Sequence, residues 1–300
     1  MIVEYLRPDP SALDAAVVML RAGYHAASLG AAGLALFAAA FAHRLDAAGL
    51  AHLRRGTLGA AAAGIALSLL ALVVQAAVLT EGSDPFDDET WRAMMVSRIG
   101  DAFWLRCAGL LLVALSAMGS RFGVALGAMG ALMVAASYAA MGHSTLYRPR
   151  QMLSALVVLH LLAVAFWIGS LPPLARAARD GAAGAALIAE WSRAALGIVA
   201  VVVAAGLLLA WYLVGRWELL VSTWYGGALI AKVALFAALL AFAAWHRLRL
   251  TPALARGGPE AGARLTRSIR IEMIVALLVF WAAAEMVSVH PADYGHRIRG

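Results

Sequence analysis

Four histidines of this chain lie at or inside long apolar runs, where imidazole is least expected. His160 is the deepest. It sits within Leu153 to Leu174, LSALVVLHLLAVAFWIGSLPPL, a run that meets the length of about 20 residues needed to cross a bilayer. An ionisable group at that depth costs roughly 3 kcal/mol on insertion scales, so it faces a partner, a cavity or a ligand. Imidazole is also the commonest protein ligand for borderline metals and for haem iron. His25, His143 and His290 fall near the ends of other apolar runs. Thioethers accompany them: Met141 and His143 form an MxH pair, and Met286 and His290 are four apart, hence on one helical face. Methionine sulfur prefers soft Cu(I), while imidazole accepts Cu(I), Cu(II), Zn(II) and haem iron. A methionine taken singly is more simply a gap-filler in helix packing; His160 has no comparable structural explanation.

Other polar residues intrude on the apolar runs. Trp167 follows His160 by seven residues, on the same helical face, where it can wall the site. Lys232 lies about eight residues into its run and can snorkel. Glu285, close in sequence to Met286 and His290, is placed to pair with Lys232 or to carry a proton. Arg106 is expected to snorkel outward from the first turns of its helix, toward Asp101. These four read as supporting or structural groups around the histidines.

The elements that must position these residues are membrane helices. Hydrophobic residues make up 63% of 300 and charged residues 14%, with a mean hydropathy of +0.83, far from the balance of a soluble domain. Eight apolar spans are expected, at 22–42, 57–79, 102–119, 122–142, 152–175, 194–214, 224–245 and 271–290. Their alanine and glycine content suits close helix packing in lipid. The fold class is therefore all-α: a polytopic membrane bundle of about eight transmembrane helices, dividing into a half at 1–145 and a half at 146–300. The net charge of +7 comes almost wholly from arginines in short loops, which excludes nucleic acid as a partner and leaves membrane lipid. There is no Walker loop, dinucleotide glycine fingerprint, HExxH or GxSxG, so nothing points to an enzyme. Cys107, the single cysteine, excludes an internal disulfide. The first residues, MIVEYLRPDPSALD, lack the basic start and cleavage site of a signal peptide.

Arginine placement sets the orientation. Of the 24 basic residues, 13 lie in loops after spans one, three, five and seven, among them Arg54, Arg55, Arg176, Arg179, Arg247 and Arg249. The positive-inside rule then puts both termini in the periplasm. His25, His143 and His290 fall at the outer rim, and His160 about 12 Å below it at 1.5 Å per residue. His43, His52 and His246 fall on the inner side. The expectation is that His25, His160 and at least one of His143 and His290 converge on an outer cavity, with Met141 and Met286 as soft ligands. Two occupants fit such a set: a copper ion, Cu(I) or Cu(II), or a b-type haem held by two histidines such as His25 and His160.

The second half resembles a known family. VLHLLAVAFWIGSLPPL is similar to the signature span of the copper resistance protein D family, with its histidine, tryptophan and glycine as His160, Trp167 and Gly169. WSRAALGIVAVVVAAGLLLA, STWYGGALIAKVALF with Tyr225, Gly226 and Lys232, HRLRLTPAL and RSIRIE follow in the family's order. The likeness is clear over about 152–290. YHAASLGAAGLALF and SRIGDAFWLR resemble the family's less distinctive first half. The resemblance implies a multi-pass protein of the bacterial inner membrane that handles copper, often beside a periplasmic CopC-like copper carrier; homo-oligomers stay open. His246 departs from the family pattern, which carries an asparagine-like residue there. That opens an inner-side ligand role which the resemblance does not itself support.

Overall fold

In hydrocarbon every backbone N–H and C=O must be bonded within its own segment, so apolar runs of this length become helices. The computed structural model describes residues 12–119, 121–141, 149–214, 220–221, 224–257 and 260–288, and there it is an all-α bundle. The helices are α1 (Ala12–Phe41), α2 (Ala47–Leu79), α3 (Asp88–Met95), α4 (Arg98–Ala117), α5 (Gly123–Met141), α6 (Arg150–Arg179), α7 (Ala182–Val214), α8 (Trp224–Trp245), α9 (Thr251–Ala255) and α10 (Ala261–Ser288). Among the described residues, seven helices are long and apolar enough to cross a membrane. The eighth expected span corresponds to α10, which carries a buried carboxylate in its apolar stretch. Several helices outrun the apolar spans: α1, α2, α7 and α10 each start about ten residues earlier than expected. Polar ends remain helical outside the lipid-matched segment because nothing there breaks the ladder.

Two features were not foreseen. Asp87 caps α3, its carboxylate accepting the Thr90 N–H at 2.8 Å, so the connection after α2 holds a short helix. Beyond α8 the chain continues as a π-helical turn at His246–Leu250 before α9, with Pro252 in that helix's first turn.

Small residues let the backbones close up. Gly109 on α4 meets Gly130 on α5: a Cβ on Gly109 would lie 2.8 Å from the Gly130 carbonyl oxygen. A Cβ on Gly33 of α1 would overlap the Ala165 carbonyl of α6 and fall 2.9 Å from the Gly169 Cα. Around this contact α1 packs against α2, α4, α5, α6 and α10, making it the central helix. One core cluster joins Phe37, Trp167, Leu171 and Leu265; a second joins Leu29, Leu110, Val134 and Ala165.

Candidate metal site

The α1–α6 contact fixes the level of two candidate ligands. The two helices run parallel, His25 preceding Gly33 by eight residues and His160 preceding Gly169 by nine. The imidazoles therefore stand at nearly the same height, about 12 Å from the glycine crossing at 1.5 Å per residue. The antiparallel pairing of α8 with α10, seen where His246 meets Ser268, sets Lys232 about one turn short of Glu285 and Met286. Of the expected site residues, His25 and His160 are the two that the α1–α6 crossing sets at one level.

Within that layer the surroundings differ. His160 turns toward α7: its Nδ1 lies 3.2 Å from the Val202 carbonyl oxygen, and a Cβ on Gly206 would sit 3.5 Å from its Cε1. A carbonyl only accepts, so Nδ1 carries the proton and Nε2 keeps its lone pair. That tautomer, held by a backbone carbonyl, is the usual arrangement of a metal-binding histidine. His25 instead lies edge-on between Tyr24 and Tyr138, with ring centroids 4.8 Å from each. The same two tyrosines sandwich Arg106, whose Cζ is 4.4 and 4.9 Å from their centroids. Arg106 is 4% exposed and reaches Ser137 and Ser68 at 3.3 and 3.4 Å. The snorkelling expected of it does not occur. The sequence could not show that α1 and α5 bring two aromatic faces to it, and cation–π contact replaces water there. A cavity of about 50 Å³ beside it is lined by Arg21, Tyr24, Ser68, Gln75, Arg106 and Met141. Met286 is buried on α10. His143 and His290 lie outside the described residues. Among the described residues, no three His, Cys, Asp or Glu side chains gather as a metal site.

Trp167 points elsewhere. Its indole N–H donates to Glu272 Oε1 at 2.8 Å, toward the expected inner half. Glu272 is 2% exposed; its other oxygen lies 3.4 Å from His246 Nδ1, and His246 Nε2 is 2.8 Å from Ser268 Oγ. Glu272 was not singled out in the sequence. The signal that could have found it is RSIRIE itself, which sets a glutamate four residues after Ser268, on one face of a helix entering lipid.

Residues 12–148 match the family model described as copper resistance protein D-like, N-terminal domain, and residues 185–286 match the one described as copper resistance protein D. No curated protein and no solved structure matches the chain.

Proposed function

The chain belongs to the copper resistance protein D family, a family of copper resistance membrane proteins, and from that premise we propose that it takes copper from the periplasmic side and moves it into or across the bacterial inner membrane. The observation that carries this reading is the His160 imidazole. It stands inside an apolar helix with Nδ1 fixed on the Val202 carbonyl and Nε2 left for a ligand. His25, at the same height, is the second nitrogen donor. Met141, Met286, His143 and His290 complete a changeable set at the outer mouth, soft enough for Cu(I) through the thioethers and able to hold Cu(II) through the imidazoles.

The charges near the layer shape its affinity. Arg106, packed against the same two tyrosines that flank His25, brings its charge beside that imidazole, so a cation arriving there meets repulsion that the ligand bonds must overcome. Such a site releases its ion readily, which suits passage better than storage. A periplasmic copper carrier of the CopC kind would deliver the ion to the outer face. The test is uptake: purified full-length protein in proteoliposomes, with an internal copper-chelating dye, is expected to admit external copper. Liposomes carrying His160→Ala are expected to behave as protein-free ones. Equal uptake by the two proteins removes His160 from the path.

A further inference from the structure

A second polar cluster lies buried in the expected inner half, built from four helical elements. Glu272 comes from α10, His246 from the π-helical turn, Trp167 from α6, and the cavity beside them is bounded by α7 through Trp191 and Ser192. Single π-turns inside helices occur frequently at functional sites. This one begins at His246.

Among the described residues, no lysine or arginine pairs with the carboxylate of this cluster. A carboxylate at 2% exposure with a single neutral donor, the Trp167 indole, is costly to bury. Arg247 lines the cavity, but its Nη1 is spent on the Ser192 carbonyl and hydroxyl oxygens at 2.8 and 3.1 Å. His246 does not close the gap by hydrogen bonding. Its Nδ1 is 3.4 Å from Glu272 Oε2, beyond the usual 2.7–3.2 Å of an N–H···O bond. When Nε2–H donates to Ser268 Oγ at 2.8 Å, the Nδ1 lone pair points at the carboxylate, and the two repel unless a cation lies between them.

The spacing is that of two ligands on one ion. Metal–nitrogen and metal–oxygen bonds of about 2.0–2.1 Å at a tetrahedral angle place the donors about 3.4 Å apart, which is the separation observed. Imidazole nitrogen with carboxylate oxygen is a donor pair that accepts copper. The second shell exists already: Ser268 holds the far nitrogen of His246, and Trp167 holds the far oxygen of Glu272. Room for further ligands exists too. The adjoining cavity of about 30 Å³ has space for about two waters, at 10–15 Å³ each. Two buried polar atoms of residues lining it, Trp191 Nε1 and Thr251 Oγ1, have no hydrogen-bond partner among the described residues and are placed to orient ion-bound water.

We propose that His246 Nδ1 and Glu272 Oε2 are the protein ligands of a second, inner-facing copper site, an exit station below the His160 layer. It rests on the copper-handling reading and gives it a path: down one face of α6, from His160 past Trp167 to Glu272. Binding at this site displaces whatever proton the pair holds, since ligating imidazole and carboxylate must both be deprotonated.

The experiment counts copper. Purified full-length protein is loaded with Cu(II), freed of excess metal, and assayed for copper per chain by mass spectrometry and for nitrogen hyperfine coupling by electron paramagnetic resonance. Wild type is expected to hold one copper more than either Glu272→Gln or His246→Gln, both of which keep side-chain volume and neighbouring hydrogen bonds. Ser268→Ala, which touches His246 without being a ligand, is expected to keep the copper count but weaken binding 10–100-fold, the usual range for such partners. His160→Ala should lose a different copper, leaving the Glu272-dependent signal intact; that result with full loss in Glu272→Gln supports the inner site whatever becomes of the outer one. An unchanged copper count in both Glu272→Gln and His246→Gln overturns the proposal and leaves a proton as the occupant.

Discussion

Replacing Trp167 by phenylalanine removes the only donor that reaches Glu272 Oε1 among the described residues. The indole is 5% exposed, its N–H···Oε1 distance is 2.8 Å, and Glu272 is 2% exposed. A hydrogen bond to a charged group contributes about 1.5–3 kcal/mol net. The lost second ring also thins the contact with Phe236, whose ring centroid is 6.1 Å away. Removing a whole aromatic side chain from a core costs about 3–5 kcal/mol, so trimming one ring to a smaller one costs about 1–2 kcal/mol. Together these give about 2.5–5 kcal/mol. At about 2–4 °C per kcal/mol for a large domain, the melting temperature falls by roughly 5–20 °C. Cys107 is buried, so thermal unfolding in detergent can be followed by a thiol-reactive dye. A double-mutant cycle separates the two contributions: Trp167→Phe and Glu272→Gln should couple by about 1–2 kcal/mol. A Trp167→Phe protein that melts within 1 °C of wild type, or strict additivity with Glu272→Gln, refutes the reasoning.

Gly33→Leu should drive α1 and α6 apart, destabilising by about 1–3 kcal/mol or more, whereas Gly30→Ala, whose Cβ meets nothing within 4 Å, should melt no lower than wild type; equal melting of the two variants contradicts the packing. The Asp87 carboxyl is held below its ordinary value of 3.8, chiefly by the Thr90 backbone N–H. A depressed acid stabilises above its unfolded value and loses that stabilisation as pH falls through the folded one. The protection of the α3 amides, corrected for intrinsic exchange, is therefore expected to fall below about pH 4 and to lose most of that pH dependence in Asp87→Ala; protection in wild type that ignores acid counts against the cap. Reporters inserted at the positive-φ turns Gly82 and Gly257 should be active outside and inside the cytoplasm, respectively, and the reverse pattern would invert the topology.

How much of this could be read in the chain follows from the range of each force. Length and apolarity are local, so the helical runs around His160 and Lys232 were legible to within a few residues, while the extensions at the starts of α1, α2, α7 and α10 were not. The family was legible in the motifs from WSRAALGIVA to RSIRIE, which lie inside the matched residues 185–286, while VLHLLAVAFWIGSLPPL lies between the two matched ranges. Burial across helices is not local. Arg106 looked free to snorkel because the tyrosines that hold it lie 82 residues before it and 32 after it. Trp167 looked like the wall of the His160 site because only periodicity linked them; its partner Glu272 is 105 residues away. The π-turn at His246 leaves no sequence signature of its own, yet it places that imidazole beside Glu272. Depth was legible only as a side of the membrane: the sequence put His25 at the outer rim and His160 about 12 Å below it, whereas the Gly33–Gly169 crossing sets them at nearly one height, because α1 begins about ten residues before the expected span.

The central claim is that His160 binds copper, and the most direct measurement is the metal content and visible spectrum of three purified proteins. Wild type, His160→Ala and His52→Ala are loaded with copper under identical conditions and compared as folded, monodisperse samples. The account predicts bound copper without a haem Soret band in wild type, the same content in His52→Ala, and a clear loss in His160→Ala. Equal copper in all three contradicts the site, and a Soret band that disappears with His160 would show that the imidazole holds haem instead.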